Sequence, residues 1–180
     1  VFIPYDAVMR MMSHGKDIVS GVYWTKSKPP CPVITEQVGG GPWFDFPTDT
    51  LAQIGGSGLG CCLIKTDVFR KLKEKGENVW FKTDWLLPKK DGTVSKVDVG
   101  EDHYFFWLCN KHGIEAWADT SVLCDHIDQN TEIIYPGKEY IDKFIEERAP
   151  KEVKEHIADI ENQVNKGELS VRVDKDEVEQ

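Results

Sequence analysis

Two short stretches carry the side chains best suited to chemistry. Gly100-Glu101-Asp102-His103-Tyr104-Phe105-Phe106-Trp107 sets an acidic pair directly before an aromatic-rich run, and Cys124-Asp125-His126 follows further along the chain. The spacing predicts a helix after Gly100, with Phe105, Leu108, Cys109 and His112 along one side and Gly113 as its C-cap. Glu101 and Asp102 then fall in its first turn, where free N–H groups and the macrodipole stabilise carboxylate charge. A carboxylate held there can take a proton from a hydroxyl within its reach. Acids are also common in first turns for the stability reason alone. His126 follows a predicted strand, and a neutral imidazole is a common metal ligand. Alone it makes no metal site, because Asp125 is adjacent and adjacent strand residues point to opposite faces. His14, His103, His112 and His156 show no ligand spacing and read as surface or core residues.

Gly55-Gly56-Ser57-Gly58-Leu59-Gly60 leads into an apolar run from Cys61 to Lys65 that reads as a buried strand. This is neither a dinucleotide fingerprint nor a P-loop, since it precedes a strand rather than joining strand to helix and no Gly-Lys-Ser/Thr follows. Its small residues would let a ligand approach backbone N–H groups closely, or would simply allow a tight lead-in to the strand. Residues 26–47 are loop-rich in proline and glycine, and loops of this length usually serve a site. Trp43, Phe44 and Phe46 could stack on a sugar ring or anchor that loop to the core.

The elements that must position these groups are legible in outline. Val1-Phe2-Ile3 reads as a strand, and Pro4 suits the first turn of a helix with Val8, Met11 and Met12 as its apolar stripe, ended by Gly15. Met9, Met11 and Met12 read as core packing. Asp17 to Trp24 reads as a buried strand. Thr66 or Asp67 is the expected cap of a helix with Val68, Phe69 and Leu72 inside, ending at Gly76. A hairpin is expected between Thr83 and Val99, around Lys90-Asp91-Gly92-Thr93. Short strands are expected at Glu115-Ala116-Trp117 and Ser121-Val122-Leu123. Beyond Gly137, two amphipathic helices precede a frayed end from Val171.

A chain of 180 residues with 40% hydrophobic and 29% charged residues fits one globular domain. Its net charge of -9 argues against a nucleic-acid surface, though a divalent cation would still allow an anionic nucleotide to bind. The five cysteines include no CxxC pair and read as free, mostly buried thiols, which implies a reducing compartment. With no membrane-length apolar run and no signal peptide, the expected location is cytoplasmic.

The order Gly-Glu-Asp, amphipathic helix, Gly, short strands, His resembles the C-terminal half of the glycosyltransferase A fold, in particular its large inverting family two. The resemblance covers roughly the first three-quarters of the chain. It implies an α/β fold: a Rossmann-like mixed sheet flanked by helices over residues 1–136, followed by a helical acidic extension over 137–180. It assigns Asp102 as general base with Glu101 in support, and Gly56, Ser57 and Gly58 to the lining of the donor and acceptor cleft. Trp85 becomes an acceptor contact, and His126 a ligand completing an Mn2+ or Mg2+ site. The implied partners are a nucleotide-sugar donor and a glycan or other hydroxyl acceptor, with inversion at the sugar carbon. In such transferases a metal-binding Asp-x-Asp sits upstream of the segment that Phe2 to Trp24 resembles. That motif would fall just before Val1. The chain alone is therefore expected to be inactive and to need an N-terminal half, attached or as a partner chain covering the sheet edge. The competing reading is a non-catalytic, transferase-derived binding or assembly module. A Rossmann dehydrogenase is excluded by the lack of Gly-x-Gly-x-x-Gly between strand and helix.

Overall fold

The computed structural model describes residues 1–27, 30–88 and 100–135. The expected hairpin centre at Lys90 to Thr93 and the helices beyond Gly137 lie outside them. Ile18–Val22 is β1, buried at every position, as suits a strand inside a sheet. It lies in a four-stranded mixed sheet of order β2-β4-β1-β3, with β2 at Leu51–Ile54, β3 at Cys62–Ile64 and β4 at Ala116–Leu123. β4 runs parallel to β1, while β3 pairs antiparallel with β1 and β2 antiparallel with β4. A separate antiparallel pair joins β5 (His126–Ile127) to β6 (Ile134–Tyr135). With its helices, the fold is mixed α/β.

β4 is one strand where two short ones were expected. Asp119, Thr120 and Ser121 look like a polar break in the sequence, but their polar groups are satisfied inside the fold. Thr120 Oγ1 donates to the Thr50 carbonyl at 2.9 Å and accepts from the Thr50 amide at 3.0 Å. Asp119 Oδ1 accepts from the Ser121 amide at 3.0 Å. The polar stretch does shift the register: Ser20 faces Ala118, whereas Val22 faces Leu123. Gly21 accommodates the shift, because a Cβ there would stand 2.8 Å from Val122 Cγ1 and 2.9 Å from Cys61 Sγ.

The first helix, α1 (Ala7–Ser13), starts later than Pro4 and turns a different face inward. Ala7 and Met11 are buried, while Val8, Met9 and Met12 are 44%, 71% and 58% exposed, so the expected stripe and methionine core are corrected. The reason is tertiary. Arg10 hydrogen-bonds Ser121, and His14 Nε2 lies 2.9 Å from Asp119 Oδ2, which rolls the helix to place Ala7 and Met11 on the sheet. Phe2 forms only an isolated bridge to Asp125, not a strand.

α2 (Thr66–Glu74) buries Val68 and Leu72. Lys65 occupies its N-cap position without a side-chain bond, so neither Thr66 nor Asp67 caps it; Asp67 pairs with Arg70 instead. α3 (Glu101–Lys111) follows Gly100, whose φ of 84° favours glycine, and ends at His112 before Gly113. It buries Phe105, Phe106, Leu108 and Cys109. Each large side chain contributes about 1.5–3 kcal/mol of burial. Phe69 of α2 packs on Phe105 at 5.7 Å, and Phe81 stacks on the same ring at 5.3 Å. All five cysteines are free thiols, with Cys61, Cys109 and Cys124 buried. Among the described residues no helix is long and apolar enough to cross a membrane.

Candidate functional site

In open sheets with parallel strands, ligands bind in the crevice beyond the strands' carboxyl ends. β1 and β4 are the parallel pair, and Tyr23 and Trp24 leave β1 there beside Cys124, Asp125 and His126 leaving β4. The Cys124 amide donates to the Val22 carbonyl at 2.8 Å and keeps the two exits together. His126 Nδ1 lies 2.8 Å from the Trp24 carbonyl oxygen. A carbonyl only accepts, so Nδ1 carries a proton and donates it to this bond. Tyr23 packs against the His126 ring edge to face, with centroids 5.4 Å apart. Burial pushes the Asp125 carboxyl up, and the Asp125 backbone pairs with Phe2.

Asp102 reaches the same place from the start of α3. Its Oδ2 accepts the Leu59 amide at 3.3 Å, while Glu101 beside it is exposed. One residue on, the Gly60 amide donates to the Tyr23 hydroxyl at 3.0 Å. A Cβ on Gly58 would stand 2.0 Å from Tyr23 Oη and 3.5 Å from Asp102 Oδ2, and one on Gly60 would meet Tyr23 Cζ at 2.8 Å. The glycine types at 58 and 60 are therefore needed to admit the Tyr23 ring. Burial pushes the Tyr23 phenol above its ordinary range, the Gly60 amide opposes this, and the Asp102 charge adds to it. The phenol stays protonated at neutral pH.

The other candidates sit as follows. Gly56 is packed between Phe106 and Thr35, and its carbonyl accepts the Thr35 amide at 2.9 Å. Ser57 is fully buried with its hydroxyl 2.8 Å from that of Ser20, so it anchors the loop to β1 instead of offering a free hydroxyl to a cleft. Trp85 is 8% exposed and packs on Tyr104 at 5.1 Å and Trp107 at 5.3 Å, against α3. Trp43 is half-buried and lines a shallow cleft of about 240 Å³ with Glu36, Gln37 and Asp45. A cleft of about 260 Å³ at the carboxyl end of α3, between Gln53, Asn110 and Glu115, contains none of the predicted residues.

A metal requires more ligands than this. Among the described residues no group of three or more His, Cys, Asp or Glu could hold one. Nε2 of His126 is a suitable single ligand, and the described residues do not hold a divalent cation by themselves.

The sequence reading missed Tyr23, although a tyrosine at the end of a predicted strand was a visible signal. It also missed the cluster of Arg10, His14, Asp119 and Ser121. There burial pushes the Asp119 carboxyl up, but hydrogen bonds from His14 and Ser121 and the Arg10 charge outweigh it and hold it below the ordinary range.

No family model matches the chain, and no curated protein matches it. Among solved structures it is similar to A197 from STIV, at 20% identity and a TM-score of 0.44, over 74% of this chain and 58% of that one. The chain thus spans less than two thirds of A197's length.

Proposed function

We propose that this chain carries the acceptor side of a glycosyltransferase site of the glycosyltransferase A type, moving a sugar from a nucleotide donor to a hydroxyl with inversion. The observation that carries the reading is the convergence of Asp102, the Gly58–Gly60 turn and His126 around Tyr23, beyond the carboxyl ends of the parallel strands. Asp102 takes the proton of the acceptor hydroxyl as its oxygen attacks the anomeric carbon. The bond from that carbon to the diphosphate breaks, and its electron pair leaves with the nucleotide. Glu101 supports Asp102 at the helix start, and Trp43 offers an apolar face to a sugar ring. His126 would supply one ligand to Mn2+ or Mg2+, which neutralises charge on the departing diphosphate.

The test uses the full polypeptide that carries residues 1–180. UDP and GDP are titrated calorimetrically with and without Mn2+, in wild type, His126→Ala and Asp102→Asn. Metal-dependent nucleotide binding that weakens in His126→Ala and survives in Asp102→Asn is the expected result. No nucleotide binding under any metal condition would overturn it in favour of a non-catalytic binding module.

A further inference from the structure

Tyr23 touches both the Gly58–Gly60 turn and His126. Its hydroxyl accepts the Gly60 amide at 3.0 Å, and the preceding amide, Leu59, is the one that bonds Asp102 Oδ2 at 3.3 Å. Its ring edge sets one side of His126, whose other constraint is the Trp24 carbonyl. Tyr23 is 7% exposed, so it lies beneath the surface formed by the turn and His126. No hydrogen bond joins Tyr23 to Asp102 directly among the described residues. The link runs through the turn: hydroxyl to Gly60, peptide to Leu59, amide to carboxylate.

We propose that Tyr23 is a positioning residue that holds the base Asp102, through the Leu59–Gly60 turn, and the His126 imidazole in one fixed relation. This rests on the glycosyl-transfer reading for what Asp102 and His126 do. The hold itself is a matter of geometry. Two residues contributed by different elements must stay in register to act on one substrate, and a misplacement of about 1 Å costs on the order of a hundredfold in rate. A loop rich in glycine cannot supply that rigidity, since glycine carries the most backbone freedom to be lost. A phenol inserted against Gly58 and Gly60 supplies it, and those positions leave room for no side chain but hydrogen.

The deciding variant is Tyr23→Phe, which removes the hydroxyl and keeps the ring; Gly58→Ala is the second, because it displaces the hydroxyl while keeping the phenol. In the full polypeptide, both are expected to lower kcat about tenfold or more and to weaken the binding of UDP with Mn2+, while Tyr23→Phe keeps KM for the acceptor within about twofold of wild type. In the same variants, hydrogen exchange at the Leu59 amide should quicken about tenfold while amides of β1 and β4 keep their protection. The 15N shifts of the His126 ring should move as well. Wild-type kcat together with unchanged exchange at Leu59 in Tyr23→Phe overturns the positioning role. Should wild type neither bind nucleotide nor transfer sugar, the transferase reading fails, and the Leu59 exchange and His126 shifts still decide whether Tyr23 holds the two residues.

Discussion

Nδ1 of His126 donates to the backbone carbonyl of Trp24 across 2.8 Å, so a residue leaving β4 is oriented by one leaving β1. The bond fixes Nδ1 as the donor and leaves Nε2 as the nitrogen not engaged with Trp24. Ring partners of this kind are worth about 10–100-fold in metal affinity at established sites. His126→Ala is accordingly expected to weaken Mn2+-dependent nucleotide binding by at least about tenfold. Asp102→Asn should leave that binding within about twofold and lower kcat about 100-fold or more. Calorimetry and initial rates separate the two effects.

Gly58 and Gly41 make a contrasting pair. A methyl group at 58 would meet Tyr23 Oη at 2.0 Å, whereas one at 41 has no neighbour within 4 Å. Gly58→Ala should therefore destabilise by about 1–3 kcal/mol through overpacking. Gly41→Ala should be neutral or slightly stabilising. In a Tyr23→Phe background the cost of Gly58→Ala should shrink, because the closest atom has gone; urea midpoints of the four proteins form the cycle.

Asp119 sets an acid limit on the packing of α1. Its carboxyl is held below its ordinary 3.8 in the folded state. A depressed carboxylate contributes stability that is present above the unfolded value and lost as pH falls through the lower folded one. Wild type should thus lose this contribution below about pH 3.8. Asp119→Ala should be less stable by about 1–3 kcal/mol at pH 6, with a flatter dependence below pH 4. Denaturant midpoints at pH 3 and pH 6 check both.

The thiols divide by environment. Cys61, Cys109 and Cys124 are buried, and burial pushes the Cys62 thiol up to about 12. Cys31, partly exposed, should therefore react with a disulfide reagent at pH 8 in the native state faster than the likewise partly exposed Cys62. Cys109, Cys124 and Cys61, whose thiol is lowered to about 7 but buried, should react only on unfolding. Fast native labelling of Cys61 or Cys124 would contradict the packing beneath Tyr23.

Trp43→Ala is expected to raise KM for a sugar acceptor about tenfold with little change in kcat, since it removes a platform and not a reacting group. Equal KM values in the two proteins would return Trp43 to the role of loop anchor.

Local features of the chain were legible because local physics decides them. Gly100 and Gly113 bound α3 at positive φ, the i, i+3, i+4 spacing of Phe105, Leu108 and Cys109 marks its inner face, and β-branched residues mark β1. Asp102, Gly58 and His126 stand out through the resemblance, not by type alone, and the fold brings them round Tyr23. The roles of Ser57 and Trp85 could not be read, because a hydroxyl facing Ser20 and a ring lying on Tyr104 depend on partners that the spacing does not reveal.

The sequence by itself determined which residues bend the chain, which segments must be buried, and where carboxylate and imidazole stand along it. Only the tertiary structure decided that α1 turns Ala7 and Met11 inward, that a polar stretch runs on as one strand, and that Tyr23 meets Gly60 from 37 positions away. Backbone preference and hydrophobic period act over a few residues, so they can be read in order. The meeting of Tyr23 with His126 is set by the parallel pairing of β1 on β4, which exists only once the sheet has formed.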